Sequence, residues 1–210
     1  METGSVANAD TTTQKKRISR EARQQQILDA TVKCIRRRGF HGASMGDIAH
    51  EAQMSVGVIY RYFANKEAIL EAIAGRDLAE MRAKFAEFET MNRDGLIDTV
   101  VANLDIPLTQ QFDRERSALA LEMVAEASRN PKVEAIMHGI DRQGRDIGRD
   151  FLRRITSGAV GDGQLDARSE ILKALMDGMM IRGVLNPDSN REDVADVFKK
   201  VFRYILTLPA

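Results

Sequence analysis

Apolar side chains recur every three or four residues along most of the chain, the spacing that gathers them on one face of an α-helix. Ile27, Leu28 and Ile35 fall on such a stripe, within a first helix predicted over about residues 19–38. Gly39 follows, and glycine commonly ends a helix. Alternating β-branched runs are few, so the pattern predicts an all-α fold.

Capping residues set the bounds of the next helices. Ser44 followed by Asp47 is a capping-box pattern, which predicts a short second helix from residue 45. Ser55 can cap a third short helix that ends near residue 63, and Asn65 can cap a fourth that continues to about residue 91. Three helices with a tight turn between the second and third are the layout of a helix-turn-helix unit.

The rest of the chain is also predicted to be helical. Pro107 interrupts a fifth helix, and the glycine-rich residues 158–163 are predicted to form a loop. Periodic segments predict four further helices, over residues 114–128, 131–155, 167–185 and 191–208, which makes nine helices in all. Asn130 can cap the second of these, with Pro131 at a favoured first helical position.

Charge is divided unevenly, although the chain as a whole has 31 basic and 31 acidic side chains. Residues 14–66 carry 11 basic and 4 acidic side chains, whereas residues 67–210 are acidic. This asymmetry indicates a polyanion as the partner of the N-terminal quarter. With 43% hydrophobic residues the chain can bury a core, which excludes disorder throughout.

The sequence lacks the signals that mark several other classes of protein. The single cysteine, Cys34, excludes a disulfide framework, and no metal-ligand spacing, phosphate-binding glycine loop or nucleophile elbow occurs. No apolar run approaches the ~20 residues of a membrane span, and residues 1–13 lack a secretion signal. We therefore expect a cytoplasmic protein with no cofactor, no metal and no membrane partner, and an enzyme has little support.

The third helix has two faces of different chemistry. At 100° per residue, Val56, Ile59 and Phe63 share a stripe that is predicted to face the core. Gly57 and Arg61 lie on the opposite face. A glycine there allows the backbone to approach a DNA groove closely.

The side chains around that outer face suit DNA. Arg61 can donate a bidentate pair to guanine, and Val58 can contact a thymine methyl group. The hydroxyls of Tyr60 and Tyr62 suit phosphate oxygens. Lys66 lies in the first turn of the fourth helix, where a cation opposes the helix dipole and a bound phosphate would offset the cost. The alternative for Lys66 is an exposed lysine beside Glu67.

At this point the N-terminal part resembles the tetracycline-repressor (TetR) family of bacterial transcriptional regulators. The resemblance covers about residues 23–70, a quarter of the chain, and the remainder agrees in length and helical content only. The matching residues are Ile27-Leu28-Asp29-Ala30, Gly39-Phe40, Ser44, Ile48-Ala49, Ser55-Val56-Gly57, Ile59-Tyr60-Arg61-Tyr62-Phe63 and Lys66-Glu67.

The resemblance implies a set of DNA contacts. Combined with the outer face of the third helix, it predicts DNA binding by Ser44, Met45, Ser55, Val56, Gly57, Val58, Tyr60, Arg61, Tyr62 and Lys66. Two departures from the family pattern stand out. Gln53 replaces the usual turn glycine, at a cost of roughly 1 kcal/mol if its φ is positive, and Gly46 replaces a polar or basic side chain.

The family resemblance also implies a homodimer, in which the last two helices pair with their twofold mates in a four-helix bundle. Symmetry then predicts a roughly palindromic operator. The alternative is that these apolar stripes are buried within their own chain. The predicted interface residues are Leu175, Gly178, Met179, Val194, Val197, Phe198, Val201, Phe202 and Ile205.

A small-molecule effector of unknown identity is the further partner that the resemblance implies. Large flexible or aromatic residues available to line its pocket are Phe85, Phe88, Phe112, Met123, Met137, Phe151 and Met176, although each can equally belong to the core. Glu122, Glu126 and Asp177 lie among apolar neighbours. They can complement a cationic ligand if buried, or else reach solvent or an arginine.

Three regions follow: a disordered basic arm over residues 1–18, a helix-turn-helix DNA-binding domain over 19–65, and an effector-binding and dimerisation domain over 66–210. The hypothesis is a repressor that binds a palindromic operator as a dimer and is released by a small molecule. The alternatives are an architectural or division-linked DNA-binding factor controlled by a protein partner and, with less support, an enzyme that uses the C-terminal pocket.

Overall fold

The computed structural model describes residues 19–89, 91–92, 94–105, 108–109, 113–156 and 160–209. Within those ranges the chain forms nine α-helices and no strand. They are α1 (Arg20–Gly42), α2 (Met45–Glu51), α3 (Val56–Tyr62), α4 (Lys66–Glu89), α5 (Leu96–Ala102), α6 (Arg114–Ala127), α7 (Pro131–Ile155), α8 (Asp162–Leu185) and α9 (Arg191–Thr207). The predicted basic arm, Pro107 and Phe112 lie outside the described residues.

The predicted caps begin the helices where they were expected. Ser44 accepts a hydrogen bond from the Asp47 backbone while Asp47 accepts one in return, which completes the capping box of α2. Ser55 caps α3, and Asn130 caps α7 ahead of a proline in the first turn. Gly39 has a φ of +71°, so helical geometry breaks there and α1 ends in one further turn.

One prediction of a helix start was wrong. α8 begins at Asp162, five residues before the expected start, and Gly163 is helical. Glycine is tolerated in a first turn, and an acidic side chain there is favoured by the helix dipole. The predicted loop therefore ends at Gly161, whose extended backbone precedes the helix.

The N-terminal helices share their core with the rest of the chain. Ile27, Ile48 and Ile59 are fully buried between α1, α2 and α3, and Met123 of α6 and Val133 of α7 join the same cluster. The core of the first three helices therefore continues past residue 65. The helices α1, α2 and α3 therefore pack against α6 and α7 as well as against α4.

The C-terminal helices have cores of their own. One is formed around Leu152, Leu165 and Ile205, where α7, α8 and α9 meet. Two further clusters contain Phe151 and Phe198. None of the helices in the described ranges has the length and apolarity that a membrane span requires. The same ranges hold no group of His, Cys, Asp and Glu side chains that could bind a metal ion.

Candidate nucleic-acid interface

The turn between α2 and α3 sets the angle at which α3 is presented. Gln53 has a φ of +53°, so the residue that replaces the usual turn glycine carries the cost of the left-handed conformation. The Met54 N–H donates to the Ala49 carbonyl (2.9 Å) and the Gln53 N–H donates to the His50 carbonyl (3.1 Å), the paired bonds of a Schellman motif. These bonds hold a non-glycine residue in the left-handed region.

The outer face of α3 is open. Tyr60 is 53% exposed, and Ser55, Gly57 and Arg61 are also exposed. A Cβ placed at Gly57 would meet no atom within 4 Å, so the surface of α3 is open there and the edge of a DNA groove can approach it. Arg61 has no ion-pair or hydrogen-bond partner in the described part of the chain. This face presents a free guanidinium, a phenol and a bare backbone to the solvent.

Three residues near that face differ from expectation. Val56 was predicted to face the core but is 40% exposed, because it is the first residue of α3 and lies beyond the edge of the core. Tyr62 is half-buried against the core, and the Arg20 guanidinium lies 5.8 Å from its ring centroid. Val58 is half-buried. The outer face therefore consists of Ser55, Val56, Gly57, Tyr60 and Arg61.

At the start of α2, Ser44 and Met45, which were predicted to contact DNA, make contacts within their own chain. The Ser44 hydroxyl donates to Asp47 Oδ2 (2.6 Å) and accepts from the Asp47 N–H (3.1 Å). The bond from the Ser44 hydroxyl and a second one from the Ser44 N–H to the same Oδ2 (3.0 Å) lower the pKa of Asp47. Met45 packs against the core. Gly46 is exposed and offers no side chain for readout.

Lys66 is turned toward its own chain. Its ammonium donates to the Phe40 carbonyl and to the Ala43 carbonyl (2.8 Å), and lies 4.3 Å from the Phe40 ring centroid. Burial lowers the pKa of Lys66, opposed by the charges of Glu67 and Glu126. Because the carbonyl end of α1 supplies negative partial charge, the expectation that an anion must offset this cation does not hold. A phosphate contact at Lys66 stays a prediction.

The arginine run at the end of α1 is also paired within the chain. Arg36 bonds to Glu115 of α6 (2.5 Å), Arg38 bonds to Asp47 of α2 (2.5 Å), and Arg37 bonds to Glu51. These pairs tie α1 to its neighbours and reduce the positive charge available to DNA near the end of α1. Arg61, which is exposed and has no partner in the described ranges, is therefore a stronger candidate for a DNA contact than these three arginines.

The seven predicted effector-pocket residues do not form one group. Phe85 and Phe88 pack against Phe151, with ring centroids 4.6 and 5.9 Å apart. Met123 and Met137 belong to the core that α6 and α7 share with α1, apart from the phenylalanine group, and their place in an effector pocket stays a prediction. Met176 packs in a third place, against Phe198 and its neighbours, and Phe112 lies outside the described residues.

The three acidic candidates are paired. Glu126 is 2% exposed and accepts hydrogen bonds from Arg129 Nε (2.8 Å) and Asn130 (3.0 Å), which favours the arginine alternative. Glu122 accepts from the Phe40 N–H (3.0 Å). Asp177 bonds to Lys173 (2.6 Å). Each of the three carboxylates therefore already has a hydrogen-bond partner within the chain.

The predicted dimer residues divide into two sets. Phe198 and Ile205 are buried within their own chain, so their assignment to a dimer surface is corrected. Leu175, Met179 and Phe202 are half-buried against the same inner clusters, and Val194 and Gly178 are half-buried as well. Large apolar side chains that are exposed on α8 and α9 are Ile171, Ile181, Leu185, Val197, Val201 and Tyr204, four of which the sequence prediction missed.

Comparison with protein families separates the chain into the same two parts. Residues 27–73 match the family of bacterial regulatory proteins named tetR. Residues 93–206, more than half of the chain, match the C-terminal domain of BetI-type transcriptional repressors.

Individual relatives agree. The transcriptional regulator UidR of Escherichia coli K12 is 34% identical over 112 residues, which cover 53% of this chain and 55% of that relative. The chain thus spans about half the length of that curated relative. The regulator BetI of Paraburkholderia phymatum is 28% identical over 183 residues, covering 80% of this chain and 85% of BetI.

Solved structures have the same architecture. Salmonella enterica GusR superposes with a TM-score of 0.70 at 25% identity, covering 90% of this chain and 96% of GusR. FadR of Bacillus subtilis, solved in complex with stearoyl-CoA, superposes with a TM-score of 0.68 at 18% identity, covering 87% and 97% of the two chains. The chain belongs to the TetR family of transcriptional regulators, with a C-terminal domain of the BetI type.

Proposed function

We propose that the protein is a repressor that binds a twofold-symmetric operator as a homodimer and is released when a small molecule binds its C-terminal domain. The exposed outer face of α3 carries the proposal. Arg61 is exposed and unpaired among the described residues, beside an open Gly57 and a projecting Tyr60. An Arg of this kind can pair with guanine O6 and N7 in the major groove.

The dimer would form on the outward faces of α8 and α9. Val197 is 58% exposed and Leu185 is 68% exposed, and both lie on the side of their helices away from the inner clusters. Isolated exposed apolar residues are ordinary, but a row along two adjacent helices indicates an interface. A twofold axis through that row would bury it in a four-helix bundle and fix the spacing of two α3 helices.

Selection of bound duplexes from random DNA tests the proposal. The wild-type protein is expected to enrich a motif of two inverted half-sites. Arg61→Ala is expected to enrich the same half-site with at least one position relaxed, because one base contact is lost. Lys84→Ala is the matched control, since it removes one exposed cation from the C-terminal half of α4, outside the α3 face and outside the proposed dimer helices α8 and α9. No enrichment by the wild type, or an unchanged motif with Arg61→Ala, would contradict the proposal.

Release by a small molecule is tested on the selected duplex. Extracts of small metabolites are added to the complex, and dissociation is followed by fluorescence anisotropy. A fraction that releases DNA identifies the effector class, whereas release only by a protein fraction would support control by a protein partner.

A further inference from the structure

The last turn of α1 is held from two sides by helices that come from different parts of the chain. The Phe40 N–H donates to Glu122 Oε1 of α6 at 3.0 Å, and the Phe40 carbonyl accepts from the Lys66 ammonium of α4. Glu122 and Phe40 are 82 positions apart in the sequence. Gly39, Phe40, Ala43, Lys66 and Glu122 are together called the Phe40 junction below.

Glu122 approaches Gly39 so closely that a side chain at position 39 would displace the Glu122 carboxylate. A Cβ placed on Gly39 would lie 2.7 Å from Glu122 Oε1, and the Gly39 φ of +71° is itself unfavourable for other residues. The carboxylate thus lies directly against the kink that ends the regular part of α1. The Phe40 side chain is 1% exposed, so its N–H has no ready access to water as a replacement acceptor.

The orientation of Glu122 is set from the C-terminal side. The Arg129 guanidinium lies 3.8 Å from Glu122 Oε1 and bonds to the buried Glu126 at 2.7 Å. Asn130, which caps α7, donates to the same Glu126. The junction is therefore continuous with the turn between α6 and α7. A shift of α6 within the C-terminal domain would move the acceptor of the Phe40 N–H.

The other end of the junction leads to the DNA-reading helices. Ala43 is fully buried, and the next residue, Ser44, is the N-cap of α2. α2 in turn positions α3 through the Gln53 turn. A change at Glu122 thus reaches the start of α2 through only a few residues of backbone.

We propose that Glu122 is a positioning residue that couples α6 to the orientation of α2 and α3 through its hydrogen bond to the Phe40 N–H. The contact fixes the DNA-reading helices relative to the C-terminal domain, and the loss of this contact frees them. The part of the proposal that concerns DNA affinity rests on the proposed function. A hydrogen bond that only caps α1 would stabilise the fold without fixing α3, and that is the alternative to be excluded.

Three substitutions separate the hydrogen bond from the charge. Glu122→Gln keeps a side-chain oxygen within reach of Phe40 but removes the charge. Glu122→Asp keeps the charge but is shorter by one methylene, so it draws the oxygen away from the N–H. Glu122→Ala removes both. Glu134→Ala, an exposed carboxylate in the first turn of α7, is the control.

Two measurements need no DNA. Amide exchange of Phe40, followed by NMR, reports the bond itself, and we expect about tenfold faster exchange in the Ala and Asp variants, as for loss of a hydrogen bond to a charged group. Electron-electron distance measurements between spin labels at Tyr60→Cys and Arg142→Cys of one chain, mixed with excess unlabelled protein, report how well α3 is fixed relative to α7. We expect a broader distance distribution for Ala and Asp, and a wild-type distribution for Gln and for the control.

A third measurement is the affinity for the duplex recovered by selection, and we expect it to fall about tenfold for Ala and Asp and less than twofold for Gln. Faster Phe40 exchange with unchanged distances and affinity would reduce the contact to a local cap and overturn the proposal. If the Gln variant has the same broad distance distribution and low affinity as the Ala variant, the effect comes from the charge of Glu122. That result would also overturn the proposal. If the wild type selects no duplex, the proposed function fails, while the exchange and distance measurements still test the coupling.

Discussion

Replacement of Lys66 distinguishes a structural lysine from a phosphate-binding one. In Lys66→Met the apolar stem is kept, but the Phe40 and Ala43 carbonyls lose their donor. Both residues are almost completely buried, and an unsatisfied buried acceptor costs about 1–3 kcal/mol. Loss of the ammonium over the Phe40 ring adds ~0.5–1 kcal/mol.

Part of this loss is offset. Burial already disfavours the Lys66 ammonium, as its lowered pKa shows, and methionine relieves that desolvation. We expect a net decrease in the free energy of unfolding of about 2 kcal/mol, which lowers Tm by roughly 4–8 °C for a chain of this size. Urea unfolding followed by circular dichroism measures the free energy, with Arg61→Ala as an exposed control expected within about 0.5 kcal/mol of wild type.

The salt dependence of DNA binding supplies the opposing test. A lysine that neutralises a phosphate flattens the slope of log K against log salt by about 0.9 when removed. If Lys66→Met unfolds like the wild type while its slope falls by about 1.8, that is 0.9 for each of the two protomers on the duplex, the structural role assigned to Lys66 is refuted. A large loss of stability with an unchanged slope is the outcome expected from the structure.

Three further predictions follow from other parts of the chain. Gln53→Gly removes a non-glycine residue from positive φ and should raise the free energy of unfolding by about 1 kcal/mol in urea; a decrease would contradict the Schellman geometry. Val197→Asp places a charge on the exposed face of α9 and should convert a dimer into a monomer in sedimentation without loss of helical circular dichroism; a persistent dimer would place the interface elsewhere. Hydrogen bonds from Asn130 and then Arg129 outweigh desolvation and lower the pKa of Glu126, so protonation favours the unfolded chain. Stability from this group is present above its ordinary pKa of 4.5 and is lost as the pH falls through the lower folded value. Glu126→Gln should therefore be less stable than wild type at pH 7, by a difference that shrinks as the pH falls below 4.5, and a difference that does not depend on pH would refute this assignment.

Local signals in the sequence predicted the local structure well. Ser44 with Asp47, Ser55 and Asn130 each begin a helix where their capping chemistry indicated, since a cap acts within four residues. Gly57 and Arg61 were predicted to face outward on helical geometry alone, and the structure confirms both as exposed.

Contacts between distant segments were not predictable in this way. Glu122 and Phe40 meet because α6 packs on α1, and helical periodicity carries no information about which helix lies against which. The apolar stripe of α9 is wide enough to supply both an inner face, with Phe198, and an outer face, with Val201. Periodicity identifies such a stripe but does not divide it between a core and an interface.

The central claim, that a symmetric pair of α3 helices reads DNA, is tested most directly by titration of the selected duplex with wild type and with Arg61→Ala. The account predicts two chains per duplex and an affinity about thirtyfold or more lower for Arg61→Ala, because each protomer loses a base contact of ~1 kcal/mol or more. One chain per duplex, or equal affinities for the two proteins, would contradict it.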